Sequence, residues 1–296
     1  MRLSLTDRLL AVLALSVLAA PAAALEVRFT VTDDAKVDRK PGTVTSGVPF
    51  AKGRIKDLSK LSVTSGGKPV PAQFTKLAVW DDGSIRWALM NCQVEVPAGG
   101  KAELVVRDGG GAAPAAPVKV TESDAGVTMT TGSLEVTVEK KKPGLLTVKL
   151  GGKEVIGGGR GPVLWTVGPS REVEKKVGRR TVKTTVYDPG KEVPADPPSE
   201  VKVEQPGPLC AAVCARGKFG GVHDGRLSYT ARVYVFAGQK MVKVRFWLEN
   251  NGGMGYWHKS KNHPTTPNRE WLLFDGMALE LGAPGFNSAS CEGASG

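Results

Sequence analysis

Between Tyr256 and His263 the sequence gathers side chains that can do chemistry: Tyr256, Trp257, His258, Lys259, Lys261, Asn262 and His263. Tyr or Lys can serve as a base, His can assist a proton transfer, and Lys can neutralise a carboxylate. An indole such as Trp257 can stack on a sugar face. Tyr256, His258 and Lys261 are therefore the catalytic candidates, and Trp257, Lys259 and His263 are candidates for holding a substrate. The same composition fits an exposed basic loop that docks on a neighbouring module. His258 and His263 have no third ligand in the pattern, so no metal is expected, and no cofactor motif is present.

A second cluster is basic. Lys140, Lys141 and Lys142, with Lys175, Lys176, Arg179 and Arg180, can form a patch for an anionic polymer, with Arg179 and Arg180 as candidate contacts. The alternative is a solvated sheet edge, where Lys commonly collects. Asp33-Asp34 and Asp81-Asp82 are paired carboxylates at turns, where Asp bonds its own backbone. The Gly-rich GGGRG at 157–161 lacks the Lys-Ser/Thr of a phosphate loop. Of the four cysteines (Cys92, Cys210, Cys214 and Cys291), Cys210 and Cys214 would lie roughly 13 Å apart on one straight strand. They cannot bond each other at that distance and read as small buried side chains.

The elements that would position these groups are strands. The chain has 296 residues with 37 Gly and 20 Pro, and is rich in Val and Thr, which favours many short strands joined by turns. The clearest unit is KLAVWDDGSIRWALMNC, residues 76–92. Read as a hairpin with a two-residue Asp82-Gly83 turn, it sets Trp80 opposite Ile85 and Ala78 opposite Trp87. Trp80, Asp82, Gly83 and Trp87 are expected to be structural, with both indoles in a core.

Met1 to Ala24 reads as a signal peptide: Arg2 and Arg8, an apolar run from Leu9 to Ala20, then Ala22-Ala23-Ala24. The mature protein is expected to be secreted or periplasmic, with no membrane span after cleavage. Loss of Arg2, Arg8 and Asp7 lowers the formal net charge from +11 to +10. For an exported protein that charge points to acidic polysaccharide rather than nucleic acid. A β-unit over 25–108 precedes a Gly/Ala/Pro linker at 109–117. A β-sandwich follows over 118–282, and the small-residue tail 283–296 is expected to be flexible. The fold class is all-β.

GVPFAKG (47–53), PVPAQFTKLAVWDDGSIRWALMNCQVEVPAGG (69–100) and YVFAGQKMVKVRFWLENNG (234–252) resemble the exo-rhamnogalacturonan lyase and YetA-like proteins. The resemblance implies a RIFT barrel, then a β-sandwich, then a C-terminal α/α toroid that supplies most of the catalytic cleft. No helical repeat follows the sandwich strands here. The chain therefore reads as the front of a larger protein or as a short form, and the family's activity does not transfer automatically.

Three functions follow as expectations. The first is a set of exported, non-catalytic β-modules associated with acidic plant-type polysaccharide such as pectin or rhamnogalacturonan. The second is a polysaccharide lyase that uses the 256–263 loop for β-elimination at a uronate. The third is an envelope scaffold that binds another protein.

Overall fold

The computed structural model describes residues 24–222, 225–251 and 274–284; their regular structure is all strand apart from a 3-10 turn at Leu58–Lys60. Among the described residues no helix is long and apolar enough to cross a membrane. The signal-like segment, the 256–263 cluster, Cys291 and all three histidines lie outside the described residues.

The first module is a barrel of two small sheets. One has the order β1 (Glu26–Thr32), β7 (Lys101–Asp108), β3 (Leu61–Ser65), β4 (Lys68–Val70). The other has the order β2 (Arg39–Pro49), β6 (Ile85–Val96), β5 (Ala72–Val79). Period-2 alternation decides which face is inside. In β6 the side chains of Ala88, Met90, Cys92 and Val94 enter the core with Val48, Val63, Leu104 and Val106. Filling such positions stabilises the fold by about 1.5–3 kcal/mol per large side chain.

The β5–β6 hairpin differs from the register the sequence predicts. Trp80 N–H donates to Ser84 O at 2.7 Å, and Gly83 N–H donates to Trp80 O at 3.0 Å. The loop is therefore Asp81-Asp82-Gly83, with Gly83 in the left-handed region at φ 77°. Val79, not Trp80, lies opposite Ile85, while Ala78 does face Trp87. The indoles are not core partners either. Trp80 is half-buried and donates Nε1–H to Phe50 O at 3.1 Å, with the Arg86 guanidinium 4.7 Å from its ring centre. Trp87 is 41% exposed beside Gly47 of β2. The extra loop residue, with register shifts at Lys76/Ala78 and Ala78/Val79, displaces Trp80, while alternation along β6 puts Trp87 on the face opposite the buried Ala88 and Met90.

The second module is built from three sheets around one core. The first runs β12 (Lys153–Ile156), β11 (Leu146–Leu150), β10 (Leu134–Glu139), β9 (Gly126–Thr131), β8 (Lys119–Glu122). The second runs β15 (Glu200–Pro206), β16 (Cys210–Lys218), β17 (Leu227–Phe236), β18 (Val242–Asn250). The third runs β14 (Arg180–Pro194), β13 (Gly161–Val177), β19 (Phe274–Glu280). Tyr229 anchors the core, stacked on Phe246 with ring centres 5.7 Å apart and meeting Phe219 edge-on at 6.1 Å. Gly217, paired with Tyr229, makes room for that ring; a Cβ there would lie 2.5 Å from it.

β13 and β14 outrun the sandwich. β19 pairs with β13 only from Gly161 to Thr166, and beyond that the two long strands form an exposed ribbon closed at Gly178-Arg179. GGGRG is structural: Arg160 binds the carboxylates of Glu192 and Glu280, and Gly157 N–H donates to Gly282 O at 2.8 Å.

The modules meet through buried amides. Asn91 Nδ2 donates to Gln205 Oε1 at 3.1 Å, and Gln93 Nε2 donates to Ala237 O at 2.7 Å. Gln73 bonds the backbone of Leu209 and Cys210. These barrel residues sit on the β6 and β5 face opposite the core. One end of that outer face is the docking surface, and Trp87 lies toward the other end.

Candidate functional site

Sequence-predicted contacts fall in different places. Tyr256, Trp257, His258, Lys259, Lys261 and His263 are outside the described residues. Arg179 and Arg180 are exposed at the tip of the β13–β14 ribbon, with Lys175 and Lys176 just behind. Lys142 lies at the other end, beside Pro143, whose carbonyl abuts Gly161 at the start of β13. At ~3.3 Å per residue the 17 residues of β13 span roughly 50 Å, so the two basic groups do not form one patch.

The turn carboxylates do backbone work. Asp33 accepts from Val37 N and Gly99 N, both at 2.9 Å. Asp82 accepts from Ser84 N at 2.9 Å and from the Ser84 hydroxyl, and these bonds hold its carboxyl below the usual carboxylate range. Ser84 Oγ in turn accepts from Gly53 N at 2.8 Å, joining the hairpin to the Gly47–Gly53 loop. Cys92, Cys210 and Cys214 are free and buried; for Cys210 and Cys214 that is the reading their spacing gave. Among the described residues no group of three or more His, Cys, Asp or Glu could hold a metal ion.

A concavity with polar groups in its walls lies where the modules meet. It is a cleft of about 600 Å³ between the β1–β2 loop and β2 on one side and the β17–β18 turn on the other. Asp34, Asp38, Lys40 and Thr43 come from the barrel, and Gln239 and Lys243 from the sandwich. The Asp33 bonds fix the loop. Asp38 accepts from Ala98 N at 3.0 Å and pairs with Lys40 at 3.2 Å. Gln239 Nε2 reaches across to Thr43 Oγ1 at 3.0 Å and Pro41 O at 3.2 Å. Such a cleft offers donors, acceptors and charges of both signs to a polar ligand, and its size suits a small-molecule or oligomer site.

Lys243 also starts a second surface, which sequence reasoning missed. On β18 the side chains of Val242, Val244, Phe246 and Leu248 turn to the core, so Lys243, Arg245 and Trp247 face outward. The period-2 pattern of KMVKVRFWLE carries that signal.

Residues 28–106 match the PcRGLX-like N-terminal RIFT barrel domain, and residues 118–253 match the PcRGLX-like central β-sandwich domain. Among solved structures, a protein in the glycosyl hydrolase family 38 from Enterococcus faecalis is similar at 14% identity, with a TM-score of 0.42. That likeness covers 78% of this chain and 32% of the Enterococcus chain, so this chain spans about a third of that protein's length. No curated protein matches. The two matched modules follow one another on either side of the 109–117 linker, and the chain belongs to the rhamnogalacturonan-lyase-like PcRGLX family, of which it carries the RIFT barrel and the central β-sandwich.

Proposed function

We propose that this chain supplies exported, non-catalytic β-modules that associate with acidic plant-type polysaccharide of the pectin or rhamnogalacturonan kind. The observation that carries the reading is the cleft shared by both modules, with the hydrogen-bonding groups of Thr43 and Gln239 on facing walls and Lys243 at its sandwich side. A polymer of hydroxyls and carboxylates can use the hydrogen-bonding groups and the charge of such a wall. Family membership and the basic balance of the chain support the same reading. Export rests on the signal-like residues 1–24.

The test is retention of the full chain on immobilised polygalacturonate and rhamnogalacturonan, with ultraviolet detection of unsaturated uronate product in parallel. Retention that weakens with salt, without product, is the expected result. Product formation that disappears in Tyr256→Phe, His258→Ala or Lys261→Ala would replace it with the lyase reading. No retention on any acidic glycan would leave the scaffold reading.

A further inference from the structure

The outward face of the β15–β18 sheet is ordered in rows by its pairing. Glu200, Arg216, Thr230 and Trp247 lie side by side across the four strands. The next row is Lys202, Cys214, Arg232 and Arg245, and the next holds Ala212, Tyr234 and Lys243. Aromatic rings and cations alternate on it. The Arg232 guanidinium sits 5.2 Å from the centre of the Trp247 ring, while Lys243 and Arg245 lie 5.8 and 5.9 Å from that of Tyr234.

The charges on this face are not balanced. Arg216 pairs with Glu200 at 3.1 Å and Arg232 with Glu204 at 2.8 Å. Lys202, Lys243 and Arg245 have no carboxylate partner among the described residues. Trp247, on the edge strand, is 40% exposed although Arg232 lies against its ring. An exposed indole held in place by a neighbour, beside three cations without carboxylate partners, offers a ligand a stacking face and positive charge together.

We propose that this face binds a run of uronate-bearing polysaccharide, with Trp247 stacking on a sugar ring and Arg245, Lys243 and Lys202 neutralising carboxylates. The assignment rests on the reading above and gives it a location. From Lys243 to Trp247 is about 14 Å along β18, so the face meets a stretch of polymer rather than one sugar. Lys243 is shared with the junction cleft, which makes the cleft the continuation of the same track. Charge complementarity selects the acidic polymer, and the flat ring selects a sugar face over an unstructured polyanion.

The experiment titrates the full chain with oligogalacturonate, its carboxyl-reduced neutral counterpart and single-stranded DNA, by calorimetry at two salt concentrations. Oligogalacturonate is expected to bind most tightly. Lys243→Ala with Arg245→Ala should weaken it about tenfold and flatten its salt dependence. Trp247→Ala should weaken it by a similar factor without changing that dependence. All three side chains are exposed, and unchanged melting of the variants verifies the fold. Equal affinity for the neutral oligomer or for DNA overturns the assignment. So does undiminished binding by both outward-face variants; if Lys40→Ala or Gln239→Ala then abolishes binding, the polysaccharide reading stands and its location on this face does not. Absence of binding to every acidic glycan overturns both.

Discussion

Gln73 of the barrel closes both backbone groups of Cys210 in the sandwich: its Oε1 accepts from Cys210 N at 3.0 Å and its Nε2 donates to Cys210 O at 3.0 Å. The same Oε1 accepts from Leu209 N at 2.9 Å. One side chain thus does what a neighbouring strand does for the end of β16. Gln73→Ala leaves these backbone groups unpaired at a buried junction. An expected loss of at least about 2 kcal/mol should appear in urea unfolding of the full chain. Gln73→Glu should cost more, because it keeps the acceptor but buries a charge without a partner. A Gln73→Ala chain as stable as the wild type would show that water replaces the amide and that the junction is loose.

The GVPFAKG loop and the WDDGSIRW hairpin are one unit, joined by Trp80 Nε1–Phe50 O and Ser84 Oγ–Gly53 N. Trp80→Phe removes one donor and should cost about 1 kcal/mol. Gly83→Ala places a Cβ in the left-handed region and should cost about 1–2 kcal/mol, although no heavy atom lies within 4 Å of it. Thermal melts of the two variants separate a lost bond from backbone strain. No shift for Gly83→Ala would mean that the loop relaxes to another turn.

The strands and the all-β class were legible because alternation and Gly/Pro turns are local signals. The hairpin register was not, since Asp-Gly fits both a two-residue turn and a three-residue loop that ends in a left-handed Gly. Gln73, Asn91 and Gln93 look like the solvent face of two strands; only the docked sandwich buries them. The sequence suggests that the basic groups around Lys142 and Arg180 form one patch, but says nothing about a ribbon that carries them roughly 50 Å apart. The outward face of β18 was readable as a pattern. Its meaning depended on Tyr234 and Arg232 across the β17–β18 pairing, which alternation within one strand does not specify.

Alkaline pH should weaken this fold in two steps. Burial pushes the Cys92 and Cys210 thiols up to about 12 from an ordinary 9.0, with Lys243 opposing slightly at Cys210. Burial, then the nearby Asp196, pushes the Tyr229 phenol up to about 12 from 10.0. A raised folded-state pKa means that the stability is fully present below the unfolded value and is lost as pH rises through the folded one. Each thiol should lower stability by up to about 1.4 kcal/mol per pH unit between pH 9 and 12, and Tyr229 should join from pH 10. A Cys92→Ala, Cys210→Ala chain should lose most of the slope that begins at pH 9, with Cys214, which burial also raises, keeping the rest. Denaturant midpoints at pH 8, 9.5 and 11 measure it. Identical pH profiles for variant and wild type would mean that these thiols titrate in the fold as they do in the unfolded chain.

The β13–β14 ribbon should be the first described part of the molecule to open. Among the described residues each strand has only the other as partner beyond Thr166, and valines 173, 177, 182 and 186 share one face of it with Arg171, Lys175 and Arg180. Val177 and Val182 are 60% and 44% exposed. A two-stranded ribbon without a packed face is marginal and opens at small local cost. The buried Val163 and Leu164 belong to its base, so cutting the tip leaves the sandwich core intact. Limited trypsin should therefore cleave at Lys175, Lys176, Arg179, Arg180 or Lys183 before any barrel site. The nicked chain should keep the melting temperature of the intact one within a degree or two, since little buried surface is lost. Intact mass after brief digestion reads the site, and a melt reads the consequence. If the ribbon instead survives as long as the barrel, its valine face is covered in solution. The same digestion in dilution would then show whether the cover is another copy of the chain, because protection by a second copy fades as concentration falls.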